Sequence, residues 1–337
     1  MRSGGATQRF GEKAGVFKEL SDMTMVTRED VRQAAQRIAG AIERTPLIRA
    51  RIGGHTLWLK CENRQTGGAF KLRGASNRLL AMSAAERTRG VVAFSSGNHA
   101  QGVAIAARRL GIKAVIVMPG DAPAPKVEGT RAEGAEILFY DRRSEDRIGI
   151  ARRIAAETGA TVVPSFDDPY IVAGQGSAGI EILDQLGRSP RRIVIPCGGG
   201  GLAAGIALAC PESEITIVEP DGWDDMGQSL RAGAIVPVAA DAPITACDAL
   251  QTPLVSPITF EILHGRGATA LSVSDEEAFE AIRWAWREHQ LVVEPGGAVA
   301  LAAVLARKVD PIDDLVVIVS GGNIDPALHA RIVQATR

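Results

Sequence analysis

Aromatic residues and unbalanced charge are both scarce in this sequence. Phe, Trp and Tyr account for 4% of the 337 residues, and 38 basic against 39 acidic residues leave a formal net charge of −1. Proteins that bind nucleic acids usually carry a basic surface, and those that bind single strands stack bases on aromatic side chains. The composition therefore predicts no nucleic-acid partner.

Long apolar runs and paired cysteines are also absent. No stretch of 18 apolar residues occurs, so we expect no transmembrane helix. Residues 1–25 are polar and glycine-rich and lack the apolar core of a secretory signal, which predicts a loosely ordered N-terminal extension and a cytoplasmic protein without a membrane partner. Cys61, Cys197, Cys210 and Cys247 form no C-x-x-C pair, which favours buried thiols over a zinc or redox motif.

Short apolar, β-branched runs alternate with helical segments along most of the chain. Runs of this kind are typical of strands that are buried on both faces, and their alternation with helices predicts parallel sheets in an α/β fold. The strands are predicted over 57–60, 91–94, 114–117, 137–139, 161–163, 193–195, 215–218 and 315–319, and helices over 27–42, from 71, 100–110, 126–133 and 203–209. Ligands of such sheets bind at the carboxyl ends of the strands, so the residues that follow each run are the candidates for a site.

Lys71 follows the first of these runs, after a Gly67-Gly68 turn, and is predicted to lie at the start of a helix. Burial and the positive end of the helix dipole would both lower the pKa of its amine, which is what Schiff-base chemistry requires. The alternative is a surface lysine on an amphipathic helix, against which stand the flanking Phe70 and Leu72; taken alone, the segment only suggests a Schiff-base lysine.

Three further turns carry polar or glycine-rich clusters. Residues 95–99, SSGNH, can bind a carboxylate at a helix N-terminus or simply cap that helix. Four consecutive glycines, 198–201, let the backbone surround a phosphate. The same glycines, with Ala203 and Glu219, also fit a dinucleotide fingerprint, so an NAD-dependent oxidoreductase stays open at this point. In the last cluster, 320–323, Ser320 can face a ring nitrogen or cap a helix.

Seven segments taken together resemble the fold-type-II enzymes that depend on pyridoxal 5′-phosphate (PLP), and among them the threonine/serine dehydratase (ammonia-lyase) and serine racemase family. They cover nearly the whole chain from about residue 27 onward, and they are KCENRQTGGAFKLRGASN, FSSGNHAQGVA, DDPYIVAGQGSAGIEIL, CGGGGLAAGIA, VEPDGWDD, VVEPGGAVALAA and VVIVSGGN. The resemblance implies a tryptophan synthase β-like α/β fold of two domains, each with a mainly parallel twisted sheet flanked by helices. The large PLP-binding domain would comprise 26–89 and 168–337, and the small domain 90–167.

The resemblance also implies a role for each site residue. Lys71 would form the Schiff base with PLP and later move the Cα proton of the substrate. The PLP phosphate would lie on the glycine loop, the ring hydroxyl on Asn98 and the ring nitrogen on Ser320. The implied residues are Lys71, Asn98, Gly198, Gly199, Gly200, Gly201 and Ser320 for the cofactor; Ser95, Ser96, Asn98 and His99 for the substrate; and Glu219, the carbonyl of Trp223 and Asp225 for Mg²⁺ or Ca²⁺.

The activity implied by the resemblance is β-elimination on a small hydroxy amino acid such as L-threonine or L-serine, which yields a 2-oxo acid and ammonia. Ser96 stands where racemase-type members carry serine and many threonine dehydratases carry alanine, so a serine or hydroxyaspartate racemase/dehydratase is the alternative. Asp248-Ala249-Leu250 departs from a commoner Asp-Gly-Leu, which leaves the substrate open. Family members are usually dimers or tetramers, so we expect a homo-oligomer.

Overall fold

The strands of this protein form two sheets, one of six strands and one of four. The structure is a computed structural model and describes residues 26–335 except 96 and 123. The predicted N-terminal extension, residues 1–25, lies outside the described residues. Within them, no helix is long and apolar enough to cross a membrane.

The strands are β1 (Leu47–Ile52), β2 (His55–Cys61), β3 (Val91–Phe94), β4 (Ala114–Pro119), β5 (Glu136–Tyr140), β6 (Thr161–Val162), β7 (Arg192–Pro196), β8 (Glu214–Pro220), β9 (Thr269–Val273) and β10 (Leu315–Val319). The helices are α1 (Arg28–Ile38), α2 (Lys71–Leu80), α3 (Ala84–Arg89), α4 (Asn98–Leu110), α5 (Ala124–Ala132), α6 (Arg147–Thr158), α7 (Pro169–Leu186), α8 (Gly201–Ala209), α9 (Asp225–Ala232), α10 (Pro257–Gly265), α11 (Asp275–His289), α12 (Pro295–Leu305) and α13 (Pro326–Gln334). Short 3₁₀ turns cover Glu62–Arg64 and Asp248–Leu250.

The six-stranded sheet has the order β1-β2-β10-β7-β8-β9. The strands from β2 to β9 in this order run parallel to their neighbours, as the apolar runs predict. Strand β1 is different, because it pairs antiparallel with β2 through the two-residue turn Gly53-Gly54. Both turn glycines have positive φ, 60° and 88°, which suits the tight turn of a hairpin.

The four-stranded sheet has the order β5-β4-β3-β6 and is parallel throughout. All of its strands lie within 90–167, the range that the sequence predicts for the small domain. Helix α2 lies outside that range but packs against α4, and its Leu72 and Leu79 belong to the apolar cluster of this sheet. The predicted domain boundaries therefore stay a prediction.

The two best-defined predicted strands, 91–94 and 315–319, have the predicted bounds. Helix α1 also begins as predicted, because Thr27 and Asp30 form a capping box. It ends at Ile38 instead of Ile42, since Gly40 lies in the predicted last turn and glycine is a poor helix former. The predicted α/β fold is confirmed, and the structure shows at which residue each strand ends.

A buried ion cluster, consisting of Thr45, Lys60, Glu62, Arg73 and Glu181, joins α2 to β2 and α7. The Arg73 guanidinium donates to Glu62 Oε2 and Glu181 Oε1, both at 2.7 Å, and Lys60 Nζ donates to Glu181 Oε2 at 2.6 Å. Burial opposes ionisation of Glu62, but the neighbouring Arg73 outweighs it and lowers the Glu62 pKa. The cluster holds α2, the helix that begins with Lys71.

Candidate active site

Lys71 is the first residue of α2, and its amine is largely buried against the segment that follows β6. Its Nζ donates a hydrogen bond to the carbonyl of Ser165 at 3.2 Å. Burial lowers the Lys71 pKa to about 8, against an opposing attraction from Glu294. The backbone N–H of Phe70 donates to the Ser320 carbonyl at 3.2 Å, so the residue that follows β10 fixes the start of the helix. The arrangement gives an amine that is readily deprotonated and held in place.

The glycine loop 198–201 connects β7 to α8 and leaves no room for side chains. Gly200 has φ +84°, and α8 begins at Gly201 with no side chain capping it. A Cβ on Gly199 would lie 2.3 Å from the Phe166 ring. The first N–H groups of a helix lack partners within the helix, and here they are left for an external anion. The loop therefore fits a phosphate.

Ser165 and Phe166 bring the lysine and the glycine loop together. The carbonyl of Ser165 accepts from Lys71, and Phe166, the next residue, packs against Gly199 and Gly201. Helix α4 closes the other side, because a Cβ on Gly102 would lie 3.1 Å from the Lys71 carbonyl carbon. A buried amine and a phosphate cradle thus share one cleft.

Asn98 starts α4 and is held by two side chains from distant parts of the chain. Its Nδ2 donates to Glu294 Oε1 at 2.6 Å, and its Oδ1 accepts from Asn323 Nδ2 at 2.8 Å. Asn323 Nδ2 also lies 3.1 Å from Gln101 Oε1. Burial raises the Glu294 pKa to about 7, although the Asn98 hydrogen bond opposes this. The result is a buried polar network beside Lys71.

The turn between β3 and α4 contains the predicted substrate residues. Ser95 Oγ accepts the backbone N–H of Gly97 at 3.2 Å. His99 is buried, and its Nε2 lies 2.9 Å from the carbonyl of Val163. Burial, together with the charge of Lys71, lowers the His99 pKa to about 3, so its ring is neutral at physiological pH. Ser96 lies outside the described residues.

Comparison with known proteins identifies the class to which this cleft belongs. Residues 38–321 match the family described as "Pyridoxal-phosphate dependent enzyme". The chain belongs to this family. The match favours a PLP phosphate over a dinucleotide at the glycine loop, because the same cleft supplies the buried lysine.

Individual members of the PLP-dependent family are similar over nearly the whole chain. An L-threo-3-hydroxyaspartate ammonia-lyase from Pseudomonas sp is 42% identical over 93% of this chain and 100% of its own length. The structure of maize serine racemase has a TM-score of 0.86 and 34% identity, with 91% of this chain and 97% of that chain covered. A threonine deaminase structure from T.th. has a TM-score of 0.82 and 41% identity, with 88% and 98% covered. The chain is thus similar to both ammonia-lyases and racemases.

The predicted metal ligands of this PLP-dependent enzyme lie where β8 meets α9. Glu219 and Asp225 are both buried. Glu219 Oε2 accepts the backbone N–H of Gly227 at 2.8 Å, whereas neither Oδ of Asp225 has a partner of normal geometry among the described residues. Burial and, next, the charge of Asp225 raise the Glu219 pKa well above its ordinary value. The described residues contain no group of three or more His, Cys, Asp or Glu that could hold a metal ion.

Sequence reasoning missed Glu294 as a site residue. It directly precedes Pro295 at the start of α12, a place where a carboxylate commonly serves as a helix cap. Its side chain makes no such cap and instead bonds Asn98. A signal was present, because Glu294 is an acidic residue within the otherwise apolar and glycine-rich segment VVEPGGAVALAA.

Proposed function

We propose that this PLP-dependent enzyme is an ammonia-lyase that acts on small β-hydroxy amino acids such as L-threonine and L-serine. The observation that carries the proposal is the buried Lys71 amine, held by Ser165 beside a phosphate-sized glycine loop. We assign the substrate carboxylate to the turn between β3 and α4, which carries Ser95, Asn98 and His99. An amine, an anion cradle and a second anion site are what a phosphorylated aldehyde cofactor and an amino acid require.

Each residue then has a stated task. Lys71 would hold the cofactor covalently through Nζ, and the backbone N–H groups of Gly198, Gly199, Gly200 and Gly201 would hold its phosphate. Asn98 would bind the ring hydroxyl, and Ser320 would serve the ring nitrogen. The substrate carboxylate is received by Ser95, Ser96, Asn98 and His99. PLP, when bound, draws electrons from the Cα of the amino acid and so makes its Cα proton removable.

The proton chemistry belongs to Lys71. Once the amino group of the substrate takes its place on the cofactor, the Lys71 amine would be free to take the Cα proton. Burial lowers the pKa of this amine to about 8, which makes its neutral form easier to reach than that of an exposed lysine. The bond from Cβ to the hydroxyl then breaks, and the hydroxyl leaves as water with one proton. The released enamine takes up water, and the net products are a 2-oxo acid and ammonia. Elimination therefore needs no redox partner.

Racemisation is the second candidate, and the observation that favours it is the serine at position 96. A racemase needs a proton donor on the face of Cα opposite Lys71, and a serine hydroxyl in the substrate turn could supply it. The similarity to maize serine racemase supports the same alternative. The two activities use the same cleft, so an assay has to separate them.

A substrate panel on the purified holoenzyme tests these proposals. L-threonine, L-serine, D-serine and L-threo-3-hydroxyaspartate are supplied in turn, with 2-oxo acid and enantiomers measured together. We expect 2-oxo acid from at least one of them. We also expect Ser96→Ala to lower any racemisation about 100-fold or more, in line with the loss of one acid–base group, and to lower elimination far less. No 2-oxo acid from any substrate would overturn the lyase proposal, and equal losses of both activities would remove Ser96 as the proton donor.

We further propose that Glu219, Asp225 and the Trp223 carbonyl bind Mg²⁺ or Ca²⁺, because two buried carboxylates and a backbone oxygen are ligands that these ions prefer. A metal at about 100 times its Kd would stabilise the fold by about 2.7 kcal/mol. We expect thermal unfolding of wild type to shift upward by several degrees with either ion and Asp225→Asn to show no shift. The exposed Asp221→Asn is the matched control. An unchanged shift in Asp225→Asn would contradict the site.

A further inference from the structure

An ion pair at the edge of the cleft joins elements of the two sheets. Lys126 on α5 contributes its Nζ, and Asp248, in the turn Asp248–Leu250, contributes Oδ2. The side chains are 26% and 54% exposed, so both reach solvent. Neither residue belongs to the cofactor or substrate sets assigned above.

The pair borders the Lys71 site. The turn that carries Asp248 packs against the start of α12 beside Glu294, because a Cβ on Gly296 would lie 3.4 Å from the Cβ of Ala249. The turn that carries Asp248 packs on the glycine loop, because a Cβ on Gly198 would lie 3.2 Å from the Cα of Leu250. Asp248, and with it the Lys126 amine with which it pairs, therefore lies on a turn that borders the glycine loop.

Of the basic side chains discussed above, Lys126 is the one that can bind a second anionic group of the substrate. Lys71 is engaged by the cofactor in the holoenzyme. The His99 ring is neutral at physiological pH. Asp248 pairs with Lys126 in the absence of a ligand. A ligand carboxylate can replace Asp248, because the charge-assisted hydrogen bond that is lost is then replaced by another. Because Asp248 is more than half exposed, water can solvate it after the exchange.

We propose that Lys126 binds the side-chain carboxylate of an acidic β-hydroxy amino acid, and that Asp248 forms an ion pair with Lys126 when that carboxylate is absent. The inference rests on the proposed lyase function and narrows its substrate to the class of dicarboxylic β-hydroxy amino acids. Lys126 is a specificity-determining residue, since it contacts the part of the substrate that does not react. Asp248 competes with the substrate for it.

The kinetic test is the ratio of kcat/KM for L-threo-3-hydroxyaspartate to that for L-serine. In Lys126→Gln this ratio should fall roughly 10- to 100-fold, the effect of one hydrogen bond to a charged group, with most of the change in KM for the dicarboxylate. In Asp248→Asn, KM for the dicarboxylate should fall, because its competitor is neutral. The exposed Lys113→Gln is the matched control and should leave the ratio as in wild type. An unchanged ratio in Lys126→Gln, or a raised KM in Asp248→Asn, overturns the proposal.

Binding without turnover gives an independent readout. L-malate has two carboxylates and no amine, whereas L-lactate has one carboxylate, and calorimetry of each with the holoenzyme measures Kd. We expect wild type to prefer L-malate and Lys126→Gln to lose that preference at least roughly tenfold. Wild type without the preference would overturn the inference and leave the lyase proposal intact. Absence of 2-oxo acid from every substrate, with the preference for L-malate retained, would overturn the lyase proposal alone.

Discussion

Replacing Lys71 by alanine is expected to remove the visible absorbance of the bound cofactor, a band at about 410 nm, and to lower 2-oxo acid formation at least about 10³-fold. The same side chain is proposed to hold PLP and to move the Cα proton, so one substitution removes both tasks. Its Nζ is buried against the Ser165 carbonyl, and its pKa of about 8 makes the neutral amine accessible. No other change should affect cofactor and activity together so strongly.

Lys71→Arg is the matched variant for this experiment. It keeps a positive charge and a long side chain, but a guanidinium stays protonated and forms no Schiff base. We expect it to lose the band as alanine does, while thermal unfolding of both variants without cofactor stays close to that of the wild-type apoprotein. A wild-type band that survives in Lys71→Ala would place the covalent attachment elsewhere and overturn the assignment.

Replacing Arg73 by alanine is expected to cost about 3–5 kcal/mol of unfolding free energy, the usual cost of removing one partner from a buried ion pair. The Arg73 side chain is fully buried and donates to Glu62 and Glu181. Without it, the buried Glu62 and the partly buried Glu181 are left with Lys60 as their remaining strong cation. Urea unfolding of the apoprotein measures the change.

Two further variants test whether the loss of stability comes from the burial and the geometry of Arg73. Arg32→Ala breaks an exposed i,i+3 pair with Glu29 and should change the unfolding free energy by less than about 0.5 kcal/mol. Arg73→Lys keeps the charge but loses the fork that reaches Glu62 and Glu181 at once, so it should fall between wild type and alanine. A loss for Arg73→Ala as small as that for Arg32→Ala would show that water or rearrangement satisfies the cluster.

Local sequence signals predicted the strands and the start of the Lys71 helix well. The runs 91–94 and 315–319 are apolar on both faces of the chain, and only a strand buried between helices suits them. Lys71 follows a turn with two glycines at positive φ, and the structure begins α2 at that residue. Such signals need no knowledge of distant contacts.

Other features depend on partners far away in the chain. Strand β1 was missed, although Gly53-Gly54 between two apolar-containing runs is a hairpin signal. Glu294 was missed because its burial arises from packing against Asn98, which lies 196 positions earlier. The Lys126–Asp248 pair spans 122 positions and likewise has no local pattern. Each of these three features depends on tertiary contacts, which the periodicity of apolar residues along the sequence does not reveal.

The position of β10 has a consequence for how the protein is made. Among the described residues, the hairpin β1–β2 pairs with the rest of the six-stranded sheet only through β10, which spans residues 315–319. During synthesis, the edges of β2 and β7 that pair with β10 therefore stay open until residues 315–319 have left the ribosome, and exposed edges of this kind invite pairing between chains. Ser320, whose carbonyl accepts the hydrogen bond from Phe70, is made directly after β10. The nascent chain thus acquires its cofactor cleft only after residue 320 has been made, and expression at low temperature or with chaperones should favour its recovery.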